Sequence, residues 1–565
     1  MTDATGAFSI TGDYTCPTST SQLYIVATGG NPGLAPGTNN AAIAMMSALG
    51  PCTLHGGQLT LDPTSFIWIN EVTTVASVYA MSGFMAGDAT HVGTSNTNAI
   101  GIANAIGIVN NLVDPTAGVA LTTTLAGNGT APQATINALG NVLAACVNSD
   151  GTGTACSALF AAATPSGGTA PTDTIQAVFD IARNPANNVG ALFALASPTP
   201  PFQPTLSTAP NDWTLQLTYR AVNFDVNGNG PTQTAIAIDG SGNAWIANQF
   251  TTSVNLNSSV AVLSNNGSIL SGAAGYTGGG LNRPSSIAID PLGDAWLTNS
   301  FTSTLSKFSS TGSAISPSSG FGTVCTSQGV AVDGFGRVWC GALAKFDSSG
   351  NLLSGSGYTG GGLGGSAGVK GISIDPSENV WLGVTTGSFT STVAEFTNAG
   401  VALSGSTGYT TSGLTAAWST ANDSAGNTWV TNNGTTGSVY KFGNDGTILS
   451  PSAGYTGGGI ANPLSIAIDG AGNAWVTSDQ VETIGGTPTS VSSLVELDNN
   501  GNILSGPTGY FIPQAGYPVG VAVDGSGNVW TAMASNYVVE VVGAATPVVT
   551  PLSVGVQKNT LGQRP

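Results

Sequence analysis

Few residues of this chain have the side chains and spacing for chemistry. His55, His91 and Glu71 could in principle hold a metal, since three such donors are the minimum set. They share no element at ligand spacing, so surface or locally bonded roles are expected. Asp225-Val226-Asn227-Gly228-Asn229-Gly230 matches the first half of a calcium-binding EF-hand loop. Its twelfth position is Ile236, so the bidentate glutamate is missing. Asp225, Asn227 and Asn229 are therefore read as a glycine-rich turn without a cofactor, with calcium or magnesium as the alternative. A Ser-His-Asp triad needs an imidazole, and residues 212–565 contain no histidine. Asp423, Asp479 and Glu482 leave a carboxylate mechanism open, but nothing in the sequence pairs them.

A second set of residues could recognise rather than transform. Tyr276, Tyr358, Tyr409, Tyr455 and Tyr510, with Phe321 as a variant, stand at equivalent places in Gly-Tyr-Thr-Gly-Gly-Gly-like segments. Asn248, Asn299, Asn432 and Asp479 fall in another repeated set of loops. Flat rings beside neutral amides suit a polysaccharide or a protein surface. The competing role for each ring is a packing wedge beneath its own glycine loop.

What must position these residues is a repeat. Asp and Trp recur six residues apart at Asp239/Trp245, Asp290/Trp296, Asp333/Trp339, Asp375/Trp381, Asp423/Trp429, Asp469/Trp475 and Asp524/Trp530. Six copies carry glycine three residues after the Asp, and the fourth has Glu378. The intervals are 51, 43, 42, 48, 46 and 55 residues. A period of about 40–50 residues with short β-branched runs predicts a β-propeller of seven blades, six being the alternative. Each unit parses as four strands. The Asp-x-x-Gly turn joins the first two, the Trp fills the space between sheets, and a glycine turn such as Asp445-Gly446 joins the last two. The seventh unit lacks a clear fourth strand. Trp213–Thr218 from the start of the array, or the tail 547–552, would close the ring and remove the open edges.

The loops between blades and those between second and third strands share one face. The Asp-x-x-Gly turns lie on the other, so the most repeated motif reads as structural.

Ahead of the array the period changes. Helices are expected over 39–49, 70–86, 96–113, the stretch after Pro132, 175–182 and 191–196, with Asp173-x-x-Gln176 resembling a capping box. Ser197-Pro198-Thr199-Pro200-Pro201-Phe202-Gln203-Pro204 is a semi-rigid linker. The expected order is a β remnant over 1–38, a Gly/Ala-rich helical domain over 39–197, the linker over 198–211, the propeller over 212–553 and a tail over 554–565.

Composition narrows the partners. Only 7% of residues are charged, 80 of 565 are glycine, and the net charge is −18 with 10 Lys and Arg. Nucleic acid needs a basic footprint that is absent here. No run of 18 apolar residues predicts a membrane span. A surface of Ser, Thr, Asn and Gly also avoids the self-repulsion that acid imposes, which fits an acidic extracellular setting. Six cysteines without a CxxC motif point to disulfides rather than zinc. Sequence proximity favours Cys16–Cys52, Cys146–Cys156 and Cys325–Cys340 among the 15 possible pairings.

Two resemblances follow from quoted motifs. Thr2-Asp3-Ala4-Thr5-Gly6-Ala7-Phe8-Ser9-Ile10 resembles the closing strands of carboxypeptidase regulatory-like sandwiches. It implies a chain that begins inside a domain, without a signal peptide of its own. "SIAIDGAGNAWVT" at 465–477 is similar to NHL repeats, and more closely to streptogramin (virginiamycin B) lyase-like propellers. That resemblance implies the propeller fold. The family's histidine base has no counterpart at any position of 212–565. The chain is thus read as a monomeric, secreted, cell-envelope or periplasmic binding or scaffold module. A divergent lyase or metal-dependent hydrolase acting through carboxylates is the alternative.

Overall fold

The structure is a computed structural model. It describes the chain except residues 1, 4–5, 11–15, 56–57, 62–65, 221–231, 250–257, 327, 342, 365–367, 386–390, 485–486 and 515. Asp225, Asn227 and Asn229, and the side chains of His55 and Glu482, lie outside the described residues.

Each Asp/Trp turn joins the first two strands of a small antiparallel sheet. Among the described residues there are seven such sheets in succession. They begin at Thr232–Ile238, Pro284–Ile289, Val330–Val332, Gly368–Ile374, Ala417–Asn422, Ile466–Ile468 and Pro518–Val523, and are numbered one to seven in that order. Successive first strands touch, and the first strand of sheet seven touches that of sheet one, so the array closes on itself as a propeller-like ring. The fourth strand is short. In most sheets it is reduced to isolated bridges such as Val260 with Tyr276 and Leu263 with Ile269. In sheet seven it is Gln216–Arg220, paired antiparallel with Tyr537–Val541. The start of the array therefore completes its end, and the tail 547–552 has another place. A further short strand, Gly129–Thr130, adds to the same sheet from the preceding segment.

Among its described residues that segment holds six α-helices: α1 (Glu71–Met81), α2 (Ala99–Leu112), α3 (Gln133–Val147), α4 (Thr154–Ala163), α5 (Thr174–Arg183) and α6 (Val189–Phe193). The helix expected over 39–49 is a strand, Ala44–Pro51, paired with Gln22–Thr28. Helix propensity in this Ala- and Met-rich stretch is overridden by pairing with the neighbouring strand. Its outer edge is met by hydroxyls: Met46 N–H donates to Thr74 Oγ1, Ala48 N–H to Ser77 Oγ and Ala44 N–H to Thr174 Oγ1. This also explains α1, which is buried at every position rather than amphipathic. Its hydroxyls satisfy a sheet edge that water does not reach. The Asp3 turn forms, with Ala7 N–H donating to Asp3 Oδ1, but Phe8 and Ile10 lie in no strand. Asp173 caps α5 by accepting from Gln176 N–H, whereas the Gln176 side chain accepts from Thr172 N–H rather than from the cap residue.

The helical part is joined to the ring by a shared apolar core and by asparagine amides. Val75, Tyr79 and Ile108 belong to the same buried cluster as Trp213, Ile246 and Trp530. Asn98, Asn104, Asn111 and Asn128 donate to carbonyls of Gly525, Ser241, Asn266 and Gly267. The three disulfides are Cys16–Cys52, Cys146–Cys156 and Cys325–Cys340. No helix among the described residues is long and apolar enough to cross a membrane.

Candidate functional site

The motif aspartates are held chiefly by their own turns. Asp239 Oδ1 accepts from the N–H groups of Ser241 and Asn243, and Oδ2 accepts the Trp245 indole N–H at 3.0 Å. The indole bond recurs in every sheet except the fifth. There Lys441 Nζ lies 3.2 Å from Asp423 Oδ2, and Trp429 Nε1 has no partner. The third position after each Asp has positive φ, and Glu378 takes it too, at +66°.

The repeated aromatics are wedges. Each packs on the tryptophan of its own sheet, with ring centroids 5.6–5.9 Å apart from Trp245/Tyr276 to Trp475/Tyr510. The other side of each of the first five rings faces the hairpin glycine of the next sheet. A Cβ on Gly312 would stand 2.1 Å from the Tyr276 ring, and one on Gly350 2.5 Å from that of Phe321. Gly400, Gly446 and Gly501 stand in the same relation to Tyr358, Tyr409 and Tyr455. Tyr219 fills this role in sheet seven, stacked on Trp530 and closed over by Gly267. The six predicted rings are thus distributed one to a sheet and do not form one surface.

The amides are internal as well. Asn299 and Asn432 end second strands, Asn248 stands one residue before the end of its own, and all three are almost wholly buried. Asn299 Oδ1 accepts from Asn282 N–H, and Asn432 Oδ1 from the N–H groups of Thr415 and Ala416. Asn299 and Asn432 thus hold the incoming connection between sheets, whereas the Asn248 amide donates to Ser259 Oγ within its own sheet. Asp479 is half-buried, and its carbonyl accepts the Asn462 amide.

The strongest electrostatic feature was not anticipated from the sequence. The residue paired with each motif tryptophan on the third strand is Val262, Lys307, Lys345, Glu395, Lys441, Glu496 or Glu540. All but Val262 are ionisable, and all are buried. The three lysines lie over the indole faces at 4.5–4.7 Å and donate to carbonyls on a hairpin of the next sheet. The three glutamates instead accept a tyrosine hydroxyl at 2.8 Å, from Tyr409, Tyr510 and Tyr219. Burial raises Glu395 and Glu496 to about 7 and moves Glu540 well above the carboxylate range. Burial likewise lowers Lys345 to about 8. The available signal was an ionisable residue five positions before the hairpin glycine, as in Lys307/Gly312 and Glu496/Gly501.

One mouth of the central channel is closed by the chain's own C-terminal segment. It runs along the Asp-x-x-Gly turns. Ala545 N–H donates to Gly527, Thr546 N–H to Asp469 Oδ2 and Val548 N–H to Asp524. Thr550 and Ser553 hydroxyls reach the carbonyls of Asp239 and Ile289. Helix α7 (Leu552–Gln557) follows, and Arg564 ends the segment on the Gly83 carbonyl. On the opposite face, Phe301 is 65% exposed with the Arg283 guanidinium 5.2 Å from its ring, and Lys370 lies 4.7 Å over Trp418. Among the described residues, no three His, Cys, Asp or Glu side chains converge as a metal site would require.

No family model matches the chain, and neither does any curated protein. Among solved structures it is similar to virginiamycin B lyase from Staphylococcus aureus, at 13% identity and a TM-score of 0.39 over 57% of this chain and 98% of that one. A streptogramin B lyase is similar at 16% and 0.41, over 57% and 97%. PorZ, a bacterial surface component of the type-IX secretion system of Porphyromonas gingivalis, is similar at 15% and 0.39, over 59% and 50%. At these identities no residue's role is carried across.

Proposed function

We propose that the chain is a secreted or cell-surface seven-bladed β-propeller that binds a polysaccharide or protein partner without transforming it. The contact surface is the face formed by the inter-blade loops and the loops between second and third strands. One observation carries this reading: the channel mouth on the Asp-x-x-Gly side is occupied by residues 545–564, which leaves the opposite face for a partner. The motif carboxylates support the non-catalytic part, because their oxygens are committed to turn N–H groups, indoles and lysines. Three disulfides suit an oxidising location. A glycan and peptide array probed with the intact chain tests the proposal. Retention of at least one ligand class in unchanged form is expected. Failure to retain any ligand, or conversion of a bound one, would contradict it.

A further inference from the structure

Charge is divided unevenly between the two faces of the ring. Nine Asp and Glu lie between Asp239 and Asp469. Eight stand in the Asp-x-x-Gly turns or in the hairpins after third strands, and the ninth, Glu395, is buried in a seam. None falls in the loops of the opposite face. The same span holds six Lys and Arg. Four reach the turn side, where Arg337 meets Asp333 and three lysines meet hairpin carbonyls. The other two, Arg283 and Lys370, stand on the loop side.

The backbone aims both of them. Arg283 has φ +54°, a conformation uncommon outside glycine. Its N–H donates to Ser258 Oγ, and its carbonyl accepts from the Ser300 N–H and hydroxyl. So held, its guanidinium lies 5.2 Å from the exposed Phe301 ring. Lys370 is the extra residue of a β-bulge between Val369 and Gly371. A bulge turns its extra side chain out of the ladder. Sheets one, two and seven bulge at the same place, through Thr234, Ser285 and Val519, and sheet five bulges through Trp418 and Ser419. Adjacent sheets four and five therefore bring a cation and an indole to this place. Lys370 Nζ lies 4.7 Å over Trp418 and donates to Gln328 Oε1 at 3.3 Å.

Among the described residues neither cation meets a carboxylate. Burial lowers Lys370 from the ordinary lysine value. A cation half withdrawn from water is stabilised by an anion. Exposed rings among Ser-, Thr-, Asn- and Gly-rich loops suit sugars, whereas a peptide is read through a strand edge or an apolar groove. The net charge of −18 does not oppose an anion here. Strands of five or six residues hold the turn-side acids roughly 17–20 Å away, about two Debye lengths at physiological salt.

We propose that the loop face binds an acidic polysaccharide, a chain of uronate-type sugars, with carboxylates on Arg283 and Lys370 and sugar rings against Phe301 and Trp418. This rests on the loop face being the contact surface and names the class of its partner.

Calorimetric titration of the intact chain with polygalacturonate, with its methyl ester and with poly-glutamate tests this. Polygalacturonate is expected to bind at least tenfold more tightly than the uncharged ester, the worth of one charge-assisted hydrogen bond, and more tightly than poly-glutamate. Arg283→Gln/Lys370→Gln is expected to lose that preference, and Lys558→Gln, the same change of charge on the exposed tail, to keep it. Equal binding of acid and ester, tighter binding of poly-glutamate, or a preference that survives the double substitution would each overturn the proposal. Retention of a neutral glycan or a protein with polygalacturonate unbound would overturn it while leaving the loop face as a binding surface; retention of no ligand of any class would remove both. If the double variant does not fold, the acid-to-ester ratio in the parent chain and in Arg283→Gln alone decides.

Discussion

The carboxylate of Glu496 lies opposite Trp475 on the paired strand and accepts the Tyr510 hydroxyl at 2.8 Å. It thus puts an ionisable group into the seam between two sheets of the ring. Its raised value, about 7, is caused by burial first, then by Asp469 nearby, with the Tyr510 bond opposing.

A pH dependence follows from this pair. An acid whose folded value is raised holds a proton that the unfolded chain has released, so stability falls as pH rises through the window between the two values. For Glu496 the window runs from 4.5 to about 7, and Glu395 has the same one. The contribution is whole below that window and gone above it. For Glu496 the change is about 3 kcal/mol at most. The Asp347 and Asp445 carboxyls are lowered, Asp445 mainly by the Thr447 hydroxyl, so they work in the opposite direction below about pH 4. Urea midpoints are therefore expected to be highest near pH 4.5–5 and to fall towards pH 8. Glu496→Gln is expected to flatten the slope.

The wedge geometry gives a second prediction. Gly446 has φ +79°, and a Cβ there would lie 2.1 Å from the Tyr409 ring. Gly446→Ala combines left-handed strain with displacement of a packed aromatic, and is expected to cost about 2–4 kcal/mol in chemical denaturation. Gly405→Ala, also at positive φ but with open space around its Cβ position, is expected to cost only about 1 kcal/mol.

The tryptophans differ in a way that substitution can read. Trp530 Nε1 donates to Asp524 at 2.9 Å, whereas Trp429 Nε1 has no partner. Trp530→Phe removes one of the two donors to Asp524 Oδ2, leaving the Asn528 amide, and is expected to be worse than Trp429→Phe by about 1 kcal/mol. Paired thermal melts of the two variants check the difference.

Removal of residues 544–565 is expected to open the channel on the turn side. The turns lose the Thr546, Val548, Thr550 and Ser553 contacts. A lower melting temperature and new binding of an apolar dye are the expected readings; an unchanged melt would show that the segment contributes nothing to the ring.

Much of the frame was legible in the sequence because it repeats. The Asp239/Trp245 spacing located a turn between first and second strands in each sheet, and the missing strand of sheet seven was named by Trp213–Thr218, close to the observed Gln216–Arg220. Cysteine proximity anticipated all three disulfides. Local composition misled at 39–49, where a long-range partner, Gln22–Thr28, decides the conformation. The repeated rings take the wedge role, each on its own tryptophan. Equivalence in sequence put Tyr276 and Tyr510 at equivalent places, but in a ring that means one per seam, not a cluster. The tail 554–565 carries no motif, and its place arises from side-chain contacts with distant residues: Arg564 donates to the Gly83 carbonyl, and Val556 and Leu561 join the core of sheets three and four.

The face assignment is tested most directly by placing charge on either side of the ring and measuring retention of an array-selected ligand by the intact chain. Ser300→Glu and Phe301→Glu alter the loop face, and Leu292→Glu alters an exposed turn on the other. Loss of binding in the first two, with Leu292→Glu binding as the parent does, is the predicted result. Loss in Leu292→Glu with the loop-face variants unaffected would contradict the account.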